Sequence, residues 1–464
     1  MKKKLLSLTL CVAMAATVFA GCGSEESDTK SGSSGNSGSK TESDSKDSGS
    51  SSSSDGSVYF LNFKPEAEEA FNEIAEKFTE EEGIDCKVIT AADNQYESKL
   101  KAEMSKDDAP TAFIINGPIG YNSWKDYCAD LKDTDLYNNL VDKDGVVQTD
   151  EGVFGIPLAT EMYGLICNKS IFADYFALDG IADTGCSSIE DINSFEKLSA
   201  VVKDMDAHKD DLGIAGVFSE PALNSENNWR LQTHLANVPI YYEYQKDGVS
   251  DKDEIDFSFG DQYKDILDLY LDYSTVSREA ASSGSVDDAM AEFALKECAI
   301  VQNGTWGWGQ ISGTDGNEVE EDDLYFMPIY IGADGEEGQG LCAGTENFLA
   351  INSQASEADQ EASVKFFNWL YTSETGKKYV KEDLGFVSPF EGADTPDNPL
   401  AVQGLDDAAN SDTKTVSWVF PTFPSQAWKD ALGEDLLSYA EGQIEWDAVI
   451  SNAKDMWASE KSAS

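Results

Sequence analysis

Apolar residues in the first part of the chain form short continuous runs that alternate with helical stripes. The runs at 58–61, 86–90 and 111–115 predict buried strands. Between them, 66–82 and 94–106 place apolar side chains three or four positions apart, which predicts two helices. The order strand, helix, strand, helix, strand is typical of a parallel α/β sheet.

The remainder of the chain continues this mixture of strands and helices, and no segment repeats another. In parallel α/β sheets, ligands bind beyond the carboxyl ends of the strands. We therefore expect functional residues at 62–63 and 116–121. Further strands are predicted at 153–158, 163–167, 299–301, 325–331 and 347–351, and further helices near 194–206, 226–236, 260–275, 286–297, 356–371, 373–383, 425–440 and 443–457.

Composition narrows the choice of fold and partners. The chain has 464 residues, of which 41% are hydrophobic, and a chain of this length is expected to divide into two cores. The formal net charge is −54, and Arg230 and Arg278 are the two arginines. Nucleic-acid binding depends on cations that contact phosphates, so no nucleic-acid partner is expected. An anionic membrane surface would also repel this chain.

The first 57 residues have the pattern of a secreted, anchored protein. A basic start and a short apolar run at 1–21 predict a signal peptide, because the run is too short to span a bilayer. The sequence Val-Phe-Ala-Gly-Cys at 18–22 resembles the lipobox of bacterial lipoproteins, which implies a lipid on Cys22. Residues 22–57, rich in Ser and Gly, predict a flexible tether. The alternative is a plain signal peptide followed by a disordered segment.

No motif for a metal, a cofactor or a catalytic site occurs in the sequence. The six cysteines beyond Cys22 are scattered and mostly lie in apolar runs, so they are interpreted mainly as buried side chains, with disulfides left open. No Cys/His cluster suggests zinc. The GxSxG elbow of serine hydrolases is absent from the sequence, and Thr375-Gly376-Lys377 lacks the upstream glycine of a phosphate loop. We therefore predict a protein without catalytic residues, metal or cofactor.

Five segments carry a family resemblance, and they are 71–88, 155–168, 292–306, 340–352 and 366–385. In this order they resemble the extracellular sugar-binding proteins of ATP-driven importers, the family that includes maltodextrin-binding protein. The resemblance implies an α/β, two-lobed, periplasmic-binding-protein-like fold, in which each lobe is a sheet flanked by helices and a hinge lies between the lobes. Lobe one is expected at 58–160 plus 325–385, and lobe two at 161–324 plus 386–464.

Sugar binding requires flat aromatic side chains for the sugar faces, and carboxylates or amides for the hydroxyl groups. Trp306 and Trp308 flank a glycine just after a predicted strand, and Trp229 lies at a polar helix start, although ordinary packing explains all three as well. Glu161 is implied by the resemblance. Asn116 ends a predicted strand, where a turn role is the alternative. The predicted ligand contacts are Asn116, Glu161, Trp229, Trp306, Trp308 and Phe420, the last on a late loop of lobe two.

These observations predict a lipid-anchored receptor on the extracellular face of the bacterial membrane. Its expected partners are an oligosaccharide, the permease subunits of an importer, and the membrane through the lipid on Cys22; a monomer is expected. The resemblance alone favours an α-glucan or α-galactoside. Two alternatives remain: the same fold binding a peptide or metal complex, and a secreted glycoside hydrolase lipoprotein. His208 and His234 are assigned surface or capping roles, with a position facing the cleft, on the helix that starts near Trp229, as the alternative for His234. Trp428, Trp446 and Trp457 are assigned to the core.

Overall fold

The structure, a computed structural model, describes residues 56–91 and 95–462. The predicted signal peptide, Cys22 and the tether up to residue 55 lie outside these residues. Within the described part of the chain, no helix is both long enough and apolar enough to cross a bilayer.

The strands are β1 (Ser57–Asn62), β2 (Asp85–Thr90), β3 (Ala112–Asn116), β4 (Val147–Thr149), β5 (Gly152–Pro157), β6 (Glu161–Asn168), β7 (Gly216–Phe218), β8 (Cys298–Gly304), β9 (Leu324–Met327), β10 (Gln339–Gly344), β11 (Asn347–Ile351) and β12 (Lys414–Ser417).

Helices cover both faces of the sheets. The α-helices are α1 (Glu68–Glu82), α2 (Tyr96–Met104), α3 (Gly117–Trp124), α4 (Asp135–Asn138), α5 (Lys169–Ala177), α6 (Phe195–Ala207), α7 (Lys209–Leu212), α8 (Ala236–Asp247), α9 (Gly260–Asp272), α10 (Val286–Ala294), α11 (Gly307–Ser312), α12 (Glu357–Thr372), α13 (Glu374–Glu382), α14 (Pro399–Ala409), α15 (Gln426–Ala440) and α16 (Trp446–Lys461). A π-helix, Arg230–Leu235, leads directly into α8.

The first sheet has the order β2-β1-β3-β11-β5-β4. β1 pairs in parallel with β2 and with β3, as the alternation of strands and helices predicts. α1 buries Phe71, Ile74 and Phe78 and ends at Gly83, whose φ of +69° is a left-handed conformation that glycine adopts readily. Through these three buried side chains, α1 packs against the core of the first sheet.

The second sheet has the order β12-β10-β6-β8-β7, and β9 also pairs with β6. β6 and β8 are antiparallel, whereas β7 and β8 are parallel, so β7 and β8 end at the same edge where β6 begins. Two sheets with flanking helices and separate apolar cores confirm the predicted two-lobed α/β fold. Trp428, Trp446 and Trp457 are buried in the core of the second lobe, as predicted.

Three chain crossings connect the two sheets, and they lie side by side. The first runs from β5 to β6, and the second from β10 to β11. These two crossings meet where Gly344 pairs with Glu161. The third passes Val387, whose carbonyl accepts a hydrogen bond of 2.9 Å from the backbone N–H of Thr160. We call this region, where the edges of both sheets meet, the seam.

One part of the predicted lobe division differs from the structure. β9 and β10 belong to the second sheet, although the prediction placed 325–344 in lobe one. The reason is strand pairing, since both strands hydrogen-bond to β6. Phe386 and Phe390, predicted in lobe two, pack in the core of lobe one. We propose that the lobe boundaries follow the three crossings.

The six cysteines of the described residues are all free. Four of them, Cys128, Cys167, Cys298 and Cys342, are buried, as expected for small apolar side chains. Burial raises the pKa of the Cys86 and Cys128 thiols to about 12, so these thiols stay protonated at neutral pH.

Candidate functional site

Polar side chains of lobe one gather at the seam because its strands end there. Asn62 is the last residue of β1, and its side chain holds the turn that follows. Its Oδ1 accepts from the backbone N–H of Lys64 at 3.0 Å, and its Nδ2 donates to the carbonyl of Lys64 at 2.8 Å. This turn directs the Lys64 side chain from lobe one towards the second sheet.

Lys64 forms a buried ion pair with the predicted residue Glu161. The Lys64 Nζ lies 2.7 Å from the Glu161 Oε1, and both side chains are less than one-tenth exposed. Burial lowers the pKa of Lys64, but the carboxylates of Glu161 and Glu66 outweigh it and raise the pKa above its usual value. Asn347 approaches the other oxygen of Glu161 at 3.5 Å. Lys64 therefore stays charged and links the end of β1 to the start of β6.

Aromatic side chains of lobe two form the other side of the site. Trp306 contacts Trp229, at 6.2 Å between ring centroids, and His234, at 5.6 Å. The His234 ring stacks on Tyr163 at 4.4 Å, with only 8° between the planes. Trp418 contacts both Tyr163, at 5.5 Å, and His234, at 5.9 Å. We call Tyr163, Trp229, His234, Trp306 and Trp418 the aromatic cluster.

The position of Trp306 depends on the glycine that ends β8. A Cβ atom at Gly304 would lie only 2.1 Å from the Trp306 ring, so any other residue would displace the indole. Trp306 is half-buried, and the Lys64 Nζ lies 5.9 Å from its ring centroid. The ring thus contacts a cation of the opposite lobe while part of its surface stays accessible, as a platform for a flat ligand face requires.

A buried arginine fixes the segment that carries Trp229 and His234. Both residues belong to the turn at the π-helix, a rare conformation that occurs often at functional sites. The Arg230 guanidinium donates to the carbonyls of Gln302, at 3.2 Å, and Pro221, at 3.3 Å. Gln302 Nε2 in turn donates to the Arg230 carbonyl at 2.6 Å. Arg230 therefore ties the π-helix to β8, and so ties Trp229 to the strand that leads to Trp306.

The environment of His234 keeps its imidazole neutral. Burial, and then the positive charge of Lys429, lowers the pKa of His234 to about 3. A buried position in the aromatic cluster differs from the surface or capping role that the sequence favoured, and it agrees better with the alternative in which His234 faces the cleft. Its ring partners Tyr163 and Trp418 were not predicted, because they are distant in the chain.

The six predicted contacts do not all lie together. Glu161, Trp229 and Trp306 are at the seam or in the aromatic cluster, and Asn116 ends β3 beside it. Trp308 is half-buried on α11 and packs against a smaller core of lobe two. Phe420 is fully buried in a short 3-10 helix, and its ring contacts His234 at 5.4 Å. Because its side chain has no accessible surface, Phe420 supports the aromatic cluster, and a direct contact between Phe420 and a ligand stays a prediction.

A cavity of about 950 Å³ lies elsewhere, at the edge of the first sheet where β1 begins. It is lined by residues that include Tyr59, Lys87 and Asp359. The Lys87 Nζ lies 3.7 Å from the Tyr59 ring centroid. Because β1 runs from this edge to the seam, the cavity is at the opposite end of lobe one from the aromatic cluster.

Solved structures with the same fold are numerous, and their identities to this chain are low. A chitin oligosaccharide binding protein matches with a TM-score of 0.68 and 16% identity, over 88% of this chain and 99% of that chain. The solute-binding protein RafE in complex with raffinose matches with a TM-score of 0.65 and 16% identity, over 87% and 99%. A sugar transporter protein from Bacillus licheniformis in complex with stachyose matches with a TM-score of 0.63 and 14% identity, over 87% and 100%.

Sequence comparison gives the family. No curated protein matches the chain significantly. The profile described as bacterial extracellular solute-binding protein matches residues 73–407, which include most of both sheets and the seam between them. The chain therefore belongs to the bacterial extracellular solute-binding protein family.

Proposed function

We propose that this protein is a lipid-anchored extracellular receptor that binds an oligosaccharide at the seam and delivers it to an ATP-driven importer. The observation that carries the proposal is the aromatic cluster opposite Lys64 and Glu161. Indole faces can cover the weakly apolar faces of sugar rings, and carboxylate and amide groups can bind hydroxyls. Trp306 and Glu161 bring these two kinds of group together from different parts of the chain.

The fold supplies a mechanism for capture. Two lobes joined at one seam can rotate about it, and a ligand favours the closed arrangement only through contacts that it makes with both lobes. Lys64 follows β1 and Asn116 ends β3, both in lobe one, whereas Trp229 and Trp306 belong to lobe two. A glycan that contacts all four residues would stabilise closure, which an importer could recognise.

The similar structures support a sugar as the ligand. Those described above include complexes with raffinose and stachyose and a protein named for chitin oligosaccharides. Raffinose and stachyose are α-galactosides, and an α-galactoside or an α-glucan is the ligand that we propose. The family and these neighbours are binding proteins, in accordance with a receptor that has no catalytic role.

A thermal-shift screen tests the ligand class. The purified protein would be heated with raffinose, stachyose, maltotriose, chitotriose and xylotriose, and with tripeptides as a control. A ligand that binds only the folded state stabilises it by about 2.7 kcal/mol at a hundredfold excess over its Kd, which shifts Tm measurably. A shift with peptides and none with any glycan would refute the proposal. New reducing ends during incubation would instead indicate a glycoside hydrolase.

A further inference from the structure

Three buried polar atoms near the seam have no hydrogen-bond partner among the described residues. They are the Oδ1 atoms of Asn116 and Asn347 and the indole Nε1 of Trp418. Buried polar atoms in folded proteins nearly always have a partner, so each exception requires an explanation. Three exceptions around one site suggest that a ligand completes their hydrogen bonds.

The fold brings these three atoms into one region. Asn116 and Asn347 are opposite each other in the pairing of β3 with β11. The Trp418 backbone N–H donates to the carbonyl of Ala343 at 3.2 Å, next to the crossing that leads to Asn347. A Cβ atom at Gly344 would lie 2.6 Å from the Trp418 ring, so this glycine allows the indole to approach the crossing closely. All three residues therefore adjoin the second crossing.

The loop after Trp418 also reaches lobe one directly. The Pro421 Cβ lies 3.8 Å from where a Cβ atom of Gly117 would be, and Gly117 follows Asn116. Asn116 begins α3 without using its side chain to cap the helix. Its amide oxygen is therefore not committed to the local structure. Asn116 of lobe one and Trp418 of lobe two are therefore close in the chain to the two residues that make this contact between the lobes.

Both buried lysines at the seam are already paired with carboxylates. Lys64 is paired with Glu161 at 2.7 Å and with Glu66 at 3.4 Å. Lys429, also buried, is paired with Glu346 at 3.5 Å. What remains without a partner at this crossing is therefore uncharged: two amide oxygens that accept hydrogen bonds and one indole N–H that donates. An added carboxylate would face two acceptors and several carboxylates, with both lysines already paired.

We propose that Asn347, with Asn116 and Trp418, selects uncharged glycans and rejects acidic ones; this inference rests on the proposed function. The amide oxygens accept hydrogen bonds from sugar hydroxyls, and the indole N–H donates to a hydroxyl or ring oxygen. Asn347 also contacts Glu161 at 3.5 Å, so a hydroxyl bound between them would satisfy both groups. A uronic-acid residue at this position would place its carboxylate against two amide oxygens and the Glu161 carboxylate, with the single indole N–H of Trp418 as the donor left without a partner.

The experiment measures glycan affinity by calorimetry on the full-length protein in detergent. The ligands are the neutral trisaccharides raffinose, maltotriose, chitotriose and xylotriose, and the acidic trisaccharide trigalacturonate. The variants are Asn347→Leu, which removes the amide, and Trp418→Phe, which keeps an aromatic ring but removes the N–H. We expect a neutral glycan to bind and trigalacturonate to bind at least tenfold more weakly. Asn347→Leu should weaken neutral binding at least tenfold, and Trp418→Phe about threefold.

Matched controls separate recognition from stability. Asn352 lies at the other end of β11, and its amide is fully used: Nδ2 donates to the Pro110 carbonyl at 2.8 Å, and Oδ1 accepts from the Gln354 N–H at 3.0 Å. Asn352→Leu should therefore lower Tm and leave affinity unchanged. Asn347→Leu should weaken glycan binding with a smaller loss of Tm, because its Oδ1 has no partner and its contact from Nδ2 to Glu161 is long, at 3.5 Å. Trp457→Phe is the matched control for Trp418→Phe, because the Trp457 indole already donates to the Lys252 carbonyl at 3.0 Å. Trp457→Phe should therefore lower Tm and leave glycan affinity unchanged.

The outcomes distinguish the two proposals. If the wild-type protein binds no glycan, the proposed function fails, and this inference fails with it. If neutral glycans bind but neither Asn347→Leu nor Trp418→Phe weakens binding, the inference alone is wrong. Binding of trigalacturonate as tight as that of the neutral glycans also refutes the selection while leaving a glycan receptor.

Discussion

The Lys64 ammonium lies 2.7 Å from the Glu161 carboxylate, although the two residues are 97 positions apart in the chain. Lys64 follows a strand of the first sheet, and Glu161 opens a strand of the second. A pair this deeply buried gains little over an apolar pair of the same shape, but removing one partner leaves the other charge without compensation. The pair therefore matters more for specifying how the lobes meet than for net stability.

Removing one charge of this pair should be strongly destabilising. We expect Lys64→Met to lower the free energy of unfolding by about 3–5 kcal/mol, because Glu161 would remain buried and unpaired. The double variant Lys64→Met/Glu161→Gln should recover most of that loss. Urea unfolding measures the free energy of unfolding of the single and the double variant. The exposed pair Lys77–Glu80 is the control, and Lys77→Met should change the free energy of unfolding far less, because solvent screens an exposed pair. Equal effects of the two lysine substitutions would contradict the prediction.

Trp306→Ala should weaken ligand binding without unfolding the protein. We expect at least a tenfold rise in Kd for the best glycan, which corresponds to about 1.4 kcal/mol, with little change in Tm. Trp457, which is fully buried, gives the comparison, since truncation of a core tryptophan typically costs about 3–5 kcal/mol. Strong destabilisation by Trp306→Ala would assign this residue to the core. Unchanged affinity with an intact fold would move the platform to Trp229 or Trp418.

The buried His234 should make stability depend on pH below about 6.5. Its pKa is about 3 in the folded protein and 6.5 ordinarily, so between these values the unfolded chain binds one more proton. This histidine therefore contributes stability above pH 6.5 that is lost as the pH falls. Between pH 6.5 and 5, its contribution should fall by about 2 kcal/mol. Urea unfolding of the wild type and His234→Gln at both pH values should show this difference, and a constant difference would contradict it.

Glu220 acts in the opposite direction, so the comparison with a variant is necessary. Burial, and then the charge of Glu292, raises the pKa of Glu220 to about 7. Its contribution to stability is fully present below the ordinary value of 4.5 and is lost as the pH rises through 7. In the wild type the two groups partly cancel between pH 4.5 and 6.5. Glu220→Gln should remove the contribution of Glu220 to the opposing trend, so stability should fall more steeply between pH 6.5 and 4.5 than in the wild type.

Cys22→Ala tests the anchor, which lies outside the described residues. Each buried methylene of an acyl chain contributes about 0.8 kcal/mol, so a doubly acylated Cys22 would hold the protein firmly at the membrane. The variant should appear in the medium or as an unprocessed precursor, as fractionation and gel mobility would show. A variant that is processed and membrane-bound like the wild type would refute the anchor.

Local patterns predicted most of the fold. The boundaries of β11 match the predicted 347–351, and α1 begins within two residues of its predicted start. The sequence did not predict α8, because Pro239 disfavours a helix interior. The helix nevertheless continues to Asp247, since Val238, Ile240, Tyr241 and Tyr244 are buried in the core of lobe two.

The site was harder to predict, because its residues acquire their roles from distant partners. Trp229 and Trp306 have a local signal, a polar or glycine-rich turn after an apolar run. Lys64 has no such local signal, because its role depends on Glu161, which is distant in the chain. Trp418 depends on Gly344 for space, and His234 depends on Tyr163 for its stacking partner. These relationships follow from the antiparallel register of β6 with β8 and β10, which no local pattern contains.

We infer that the three adjacent crossings act as the pivot of the lobe rotation proposed above. Groups at a pivot travel short arcs when the lobes rotate, and groups farther away travel longer ones. Glu161 and Asn347 lie at the crossings themselves, whereas Trp229 contacts Trp306 beyond the end of β8. We therefore expect a sugar unit beside Glu161 to be bound while the lobes are still apart, and a unit beside Trp229 to be bound last. On this proposal, the length of the glycan, more than the identity of its first unit, would set how far the lobes close.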